Sequence, residues 1–237
     1  MLDRPLKAPL VLSEDESRCR FCRLRKMACF CERWPKLNSD LKLNIIAHRE
    51  ELKKDSNTAL LLWKALPNSA MQIWQRTEAI FHSDRLIEPT QDCLPVLLWP
   101  ARLADTYRGE PGCAHPMLTK TQLSGRSFVL LDGSWQQARK MYRQSNTLQH
   151  LPCYELQADD AFPLNTFKLR RNQQAEGFCS AQAIALLLWQ LKEKQVARDL
   201  LQAYDAFSEH VLASRSNHRP RHIDSLDIDA FDVGQAN

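Results

Sequence analysis

Short apolar segments of strand length alternate along this chain with longer segments that have helical periodicity. The strand-like segments cover residues 41–48, 70–74, 95–99 and 127–131. The helix-like segments cover residues 57–66, 133–144, 180–194 and 196–213. Alternation of this kind favours an α/β fold, in which a mainly parallel sheet is covered by helices on both faces.

The chain length sets how many such units to expect. A chain of 237 residues can bury one full core, or one core with a small appendage. We predict a flexible leader over residues 1–16, a small module over 17–36, the main domain over 37–213 and a loose tail over 214–237. The N-terminal segment carries early charges, and no apolar run approaches the length that crosses a bilayer. The sequence therefore predicts a cytoplasmic protein that does not enter membranes, and it shows no evident protein partner.

Glycine is scarce, and this excludes two common ways of binding a nucleotide. Only six glycines occur, and none forms a G-x-G-x-x-G or a G-x-x-x-x-G-K-[ST] pattern. Dinucleotide and phosphate loops need glycine where the backbone approaches phosphate closely. A nucleoside ligand must therefore be held in another way.

Four cysteines lie within thirteen residues near the N-terminus, in the pattern C-x2-C-x6-C-x-C. Disulfides are disfavoured in a reducing compartment, and the segment looks too polar to bury the thiols in a core of its own. Two close pairs of thiols can surround a tetrahedral Zn²⁺, although iron is left open. The predicted ligands are Cys19, Cys22, Cys29 and Cys31.

Positive charge is concentrated in the same segment. Residues 17–36 contain seven basic side chains and one acidic one, whereas four aspartates lie in the tail. A Zn²⁺ ion with four thiolates contributes a charge of −2, which leaves the module at +4. Small basic modules of this kind bind nucleic-acid backbones. The candidate contacts are Arg23, Arg25 and Lys26.

An apolar run ending at Asp132 is followed at once by Gly133 and a helix start. Ser134 and Gln137 have the spacing of a capping box. In open α/β sheets, ligands bind beyond the carboxyl ends of the strands, where Asp132 would lie. A purely structural role, with Ser134 capping and Trp135 packing in the core, explains the same residues.

This segment resembles the signature of the DTW-domain family, an Asp-x-Thr-Trp step followed by Ala-Arg-Lys-Met. Further motifs of that family occur in the same order over about residues 17–195. They are the four cysteines, His48-Arg49-Glu50, Asn57-Thr58, Leu97-Leu98-Trp99-Pro100, Leu169-Arg170-Arg171 and Glu176-Gly177-x-x-Ser180. Two positions depart from the pattern: Ser134 replaces the usual Thr and keeps its hydroxyl, and Ala59 stands where Gly is common.

The resemblance implies a SPOUT-like fold with a knot near its C-terminal part that holds S-adenosylmethionine (SAM). The loops that would bind SAM lie at 98–102, 132–135 and 179–183. The implied contacts are Leu98, Trp99, Pro100, Asp132, Gly133, Trp135, Ser180 and Ala181.

The resemblance also implies a reaction: transfer of the 3-amino-3-carboxypropyl group of SAM to N3 of a tRNA uridine. The implied catalytic residues are Asp132, Ser134 and Trp135. Asp132 would act either as general base for N3 or as partner of the SAM ammonium, and both roles stay open here. Trp135 would line the pocket or support the loop.

Further basic residues are candidate tRNA contacts, although a solvated helix surface explains them equally well. Two other functions compete with the transferase: a SPOUT methyltransferase that uses the same cofactor, and a non-catalytic zinc-ribbon protein that binds RNA. The candidate contacts outside the module are His48, Arg49, Arg139, Lys140, Arg170 and Arg171.

Overall fold

One parallel sheet organises the protein. The structure is a computed structural model, and it describes residues 16–76, 95–104, 117–157, 159–163 and 178–220. Within these ranges the sheet has five strands in the order β2-β1-β4-β3-β5, and every pairing is parallel. The strands are β1 (Lys42–Ala47), β2 (Ser69–Ile73), β3 (Val96–Leu98), β4 (Ser127–Asp132) and β5 (Cys153–Tyr154).

Helices cover both faces of the sheet, as the alternating sequence pattern predicts. Leu43 and Ile45 of β1 belong to a core shared with three helices on one face, and Ile46 belongs to a second core on the other. This separation follows from the two-residue alternation of a strand. The first face carries α1 (Thr58–Ala65), α5 (Ser180–Gln190) and α6 (Lys194–Arg215). The second carries α3 (Trp135–Gln144) and α4 (Asn146–Gln149), and the short α2 (Ala101–Ala104) follows β3. The predicted α/β class is confirmed.

The two C-terminal helices differ slightly from their predicted bounds. Helix α5 ends at Gln190, because Lys192 adopts a left-handed conformation (φ 71°) and the next N–H bonds back to the Leu188 carbonyl. Ser39 donates to Glu193 at 2.6 Å and holds this turn. Helix α6 continues to Arg215, so the first two residues of the predicted loose tail are helical. Residues 1–15 and 221–237, most of the predicted leader and tail, lie outside the described residues.

The cysteine module packs on α6 and shares the main core. Cys22, Leu24 and Phe30 are all at most 2% exposed. The Phe30 ring lies 5.6 Å from that of Phe207 on α6, and its burial contributes roughly 1.5–3 kcal/mol. The segment buries the Cys22 thiol in the main core rather than in a core of its own, and the other three thiols are partly buried. Leu24, Ala28 and Phe30 are buried although most of the segment is polar, which an average composition does not reveal, whereas Met27 is 44% exposed.

No helix in the described ranges is both long enough and apolar enough to cross a bilayer.

Candidate active site and metal centre

All five strands end at the same edge of the sheet, because they are parallel. Residues at or just beyond these ends include Trp99 after β3, Asp132 closing β4 and Glu155 after β5. This edge is where open α/β sheets bind ligands. The candidate site is therefore located around the ends of β3, β4 and β5.

A cavity of about 350 Å³ opens at this edge, near the lower end of the range for small-molecule sites. Its walls are mainly apolar and aromatic, with Glu155 and Ser180 as polar groups. Six of the predicted SAM contacts line it: Leu98, Trp99, Pro100, Gly133, Trp135 and Ser180. Ala183, which lies in the predicted loop 179–183, lines it as well. Glu155, Leu156 and Phe178 also line it and were not predicted from the sequence.

Asp132 lies beside this cavity and is 5% exposed. Its carboxylate accepts two short hydrogen bonds, one from Asn57 Nδ2 at 2.7 Å and one from Ser180 Oγ at 2.6 Å. Asn57 caps α1 and Ser180 begins α5, so the carboxylate stands at two helix N-termini, where negative charge is stabilised. The carboxylate therefore joins the end of β4 to the starts of two helices.

The Asn57 side chain is buried, and it both accepts and donates hydrogen bonds. Its Oδ1 accepts from the Leu60 N–H as the N-cap of α1, while its Nδ2 donates to Asp132 and to the Glu51 carbonyl. The sequence pattern placed Asn57 before an apolar helix but gave it no part in the site. Only the three-dimensional structure reveals this role, since Asn57 and Asp132 are 75 positions apart.

The predicted capping box at the start of α3 is confirmed. Ser134 Oγ accepts from the Gln137 N–H at 3.3 Å, and Gln137 Oε1 accepts from the Ser134 N–H at 2.7 Å. A Cβ at Gly133 would come within 3.1 Å of the Gln137 Cβ, so the absence of a side chain allows the helix to begin directly after the strand. The Ser134 hydroxyl thus has a structural role as the N-cap of α3.

Three aromatic rings contact one another beside the cavity, and two of them belong to α3. Trp99 stacks on Tyr142 with ring centroids 4.8 Å apart, and Trp135 meets Trp99 edge-on at 6.3 Å. Trp135 is 49% exposed, so it is not part of the core. The buried Trp99 Nε1 has no hydrogen-bond partner among the described residues. An exposed Trp beside a cavity is an expected contact for a planar ligand.

These features suit the nucleoside part of SAM. Aromatic and aliphatic side chains offer surfaces for adenine, and Glu155 offers a carboxylate for ribose hydroxyls. Of the two remaining predicted contacts, Asp132 lies beside the cavity and Ala181 lies behind it. Ala181 is fully buried, and its N–H donates to Thr58 Oγ1 at 3.3 Å.

The predicted RNA contacts of the main domain lie around the other half of the same edge. His48 follows β1, its ring stacks on Trp74 at 6.1 Å, and Arg49 beside it is exposed. Burial, together with the charge of Lys140, lowers the pKa of His48 below its ordinary value. Arg139 donates to the Trp135 carbonyl at 3.3 Å. Arg170 and Arg171 lie outside the described residues.

The four predicted metal ligands come together. The sulfurs of Cys19, Cys22, Cys29 and Cys31 all lie within 4.8 Å of one another. Two of the separations are 3.5 Å and 3.7 Å. Tetrahedral Zn²⁺ with bonds of about 2.3 Å needs sulfur atoms about 3.8 Å apart. The cluster therefore has the ligand set and spacing for a tetrahedral metal such as zinc.

Two thiols of the cluster have pKa values shifted in opposite directions. A hydrogen bond with the Cys31 thiol lowers the pKa of Cys22 to about 5, whereas burial raises the pKa of Cys29 to about 12. Thiolates packed this closely repel one another. A divalent cation removes that repulsion, which agrees with the metal-binding interpretation.

The basic residues of the module differ in accessibility. Arg23 is 8% exposed, and Arg25 Nε donates to the Ser214 carbonyl on α6 at 3.1 Å. Lys26 is exposed, as are Arg20 and Lys36. Arg25 therefore ties the module to α6, Arg23 is largely covered, and a phosphate contact is better sought at the exposed cations.

Fold and site together define a parallel α/β domain with a nucleoside-sized cavity at its carboxyl edge and a four-cysteine cluster attached. A family model described as DTW domain matches residues 16–212, and the chain belongs to the DTW-domain family. The match includes both the cysteine cluster and the Asp132 segment, so the resemblance seen in the sequence is confirmed. Membership suggests a tRNA-modifying transferase. No solved structure matches the chain.

Proposed function

We propose that this protein transfers the 3-amino-3-carboxypropyl group of SAM to N3 of a tRNA uridine, in the variable loop. The observation that carries the proposal is the juxtaposition of the cavity with Asp132, a buried carboxylate at the same strand ends. The fold belongs, in this proposal, to the SPOUT type with a knot around the SAM loops. The location is the cytoplasm.

SAM, when bound, supplies an electrophilic Cγ next to its sulfonium, and the products are aminocarboxypropyl-uridine and methylthioadenosine. Trp99, Trp135 and Phe178 contact the adenine, and Glu155 accepts from the ribose hydroxyls. These residues hold the group, exclude water from it and orient it toward the open edge. Orientation decides which of the three carbons on sulfur meets the nucleophile.

Asp132 has one of two roles in this proposal. As general base it receives the N3 proton of uridine, which is worth about 10²–10⁴-fold in rate. As an ammonium partner it fixes the transferred chain. Asn57 and Ser180 keep the carboxylate in place in both cases. Ser134 acts through the cap that positions Trp135.

The test is a labelling experiment with tRNA and SAM that carries its label either in the carboxyl carbon or in the methyl group. We expect the carboxyl label in tRNA and methylthioadenosine as the small product. Methyl label in tRNA, with S-adenosylhomocysteine, would establish the methyltransferase instead. If tRNA binds but neither label enters it, the result supports the non-catalytic RNA-binding protein instead.

The cysteine module supplies tRNA backbone contacts in this proposal. Replacing Arg20, Lys26 and Lys36 by Gln should weaken tRNA binding and reduce the salt slope of log K by about two to three, because each phosphate contact contributes about 0.7–0.9. SAM affinity should not change. Binding is measured by fluorescence anisotropy between about 50 and 200 mM salt.

A matched control removes three exposed cations outside the module, Lys42, Lys120 and Lys192. It has the same change in net charge and should keep the parent slope. Equal slopes for the module variant and the parent would place the RNA elsewhere.

A further inference from the structure

His48 lies at the carboxyl end of the central strand β1, directly beside the candidate site. Its backbone N–H donates to the Asp132 carbonyl at 2.9 Å, which makes the two residues neighbours across the β1–β4 pair. Asp132 bonds to α1 and α5 on one face of the sheet. His48 stacks on Trp74, which belongs to the core on the other face. The two side chains therefore flank the same strand ends from opposite faces.

The His48 ring is held in a defined orientation. Trp74 is 9% exposed, and its indole Nε1 donates to Ser145 Oγ at 2.8 Å, so the stacking partner is itself fixed. Nδ1 of His48 accepts from the Glu50 N–H at 3.3 Å. In a neutral imidazole one nitrogen accepts and the other carries the proton. The neutral ring therefore presents Nε2–H as a donor.

The surroundings of the ring favour its neutral form. Burial and the nearby Lys140 ammonium both lower the pKa of His48. Because its pKa is lowered, the ring loses its proton at a lower pH than an ordinary histidine. The uncharged ring does not attract phosphate, which is left to the exposed cations. Arg49 and Lys140 beside it are exposed and suit the backbone on either side of a base.

We propose that His48 recognises the acceptor base by donating a hydrogen bond from Nε2 to O4 of uracil. Trp74 is the positioning residue for that donor. Uracil carries an acceptor at position 4, whereas cytosine carries an amino donor there, so a fixed N–H selects uracil. The same bond favours loss of the N3 proton, because the resulting negative charge is shared with O4. This inference rests on the proposed function for its choice of uracil.

The test measures base preference without SAM, so that its result does not depend on transfer. Oligouridylate and oligocytidylate of equal length are titrated into the full chain, and the ratio of their Kd values is the readout. The parent should prefer oligouridylate by about 3- to 10-fold, the range for one net hydrogen bond. His48→Ala should abolish the preference, and Trp74→Leu should reduce it.

Two further variants keep the result interpretable. His48→Gln retains an amide donor near the position of Nε2 and should keep part of the preference. His218→Ala removes an exposed histidine beyond the end of α6 and should keep all of it. Circular dichroism of each variant verifies the fold. A parent without preference, or a His48→Ala variant that keeps the full preference, overturns the assignment, even if the labelling experiment supports transfer.

Discussion

Replacing Asp132 by Asn is expected to lower turnover by about two to four orders of magnitude while the fold survives. An amide at position 132 can still accept from Asn57 Nδ2 through its oxygen and donate to the Ser180 hydroxyl. It has no negative charge to receive a proton or hold an ammonium. Because two charge-assisted hydrogen bonds become neutral ones, we also expect a loss of about 1–2 kcal/mol in the free energy of unfolding.

Ser180→Ala is the comparison variant for this prediction, and because Ser180 also lines the cavity, some loss of activity is expected there too. It removes one of the two hydrogen bonds to the carboxylate and keeps the charge, so its loss of stability should be comparable. If Asp132 only joins β4 to the two helices, both variants should lose activity in proportion to stability. The proposal requires Asp132→Asn to lose far more activity than Ser180→Ala at similar stability. Thermal unfolding and single-turnover kinetics on the same preparations measure the two quantities.

The affinity for SAM separates the two roles of Asp132. Loss of an ammonium partner weakens ground-state binding of SAM together with turnover. Loss of a general base leaves the SAM Kd nearly unchanged, because the proton moves only during the reaction. Isothermal titration of SAM into the Asp132→Asn variant therefore distinguishes the roles.

Replacing Cys22 by Ser is expected to release the metal and to destabilise more than the module. A structural zinc site contributes its binding free energy to folding. Cys22 is 2% exposed and shares a core with Leu24 and Phe30, which pack on α6. We expect a loss of at least about 3 kcal/mol, or roughly 6–12 °C in Tm for a chain of this size. Hydrogen exchange should show lost protection in the last turns of α6 as well as in residues 17–36.

Cys153→Ser is the control, since Cys153 is equally buried but lies on β5 outside the cluster. It should keep about one metal ion per chain by elemental analysis. Parent protein that contains neither zinc nor iron, when purified without chelators, contradicts the metal assignment. A Cys22→Ser variant that keeps its metal and its Tm also contradicts the metal assignment.

Features that depend on neighbouring residues were predictable from the sequence. The β4 run, Gly133 and the Ser134–Gln137 capping box form one continuous segment, and each acts on residues within a few positions of itself. The four cysteines are likewise close in sequence. Strand β5 was not predicted, because its two residues are too few to show a periodicity.

Contacts between residues that are far apart in the sequence could not be predicted from the sequence pattern. Asn57 meets Asp132 only because β1 and β4 are adjacent in the sheet, and Glu155 reaches the cavity only because β5 pairs with β3. The low exposure of Arg23, a predicted RNA contact, could not be inferred from its charge. In the folded chain this residue has φ 65° and lies against the core, where its guanidinium is largely covered.

The attachment of the module to α6 has a consequence for the order of events during synthesis. The Arg25 N–H donates to Ser214 Oγ at 2.9 Å, and His210 Nδ1 lies 3.1 Å from the Ala28 carbonyl oxygen, so residues almost 190 positions apart are in direct contact. Chains emerge from the ribosome N-terminus first. The cysteines are available to a metal early, but Leu24 and Phe30 have no partner until α6 has been made. Docking of the module therefore waits until α6 has been made, and until then the nascent chain carries an apolar surface.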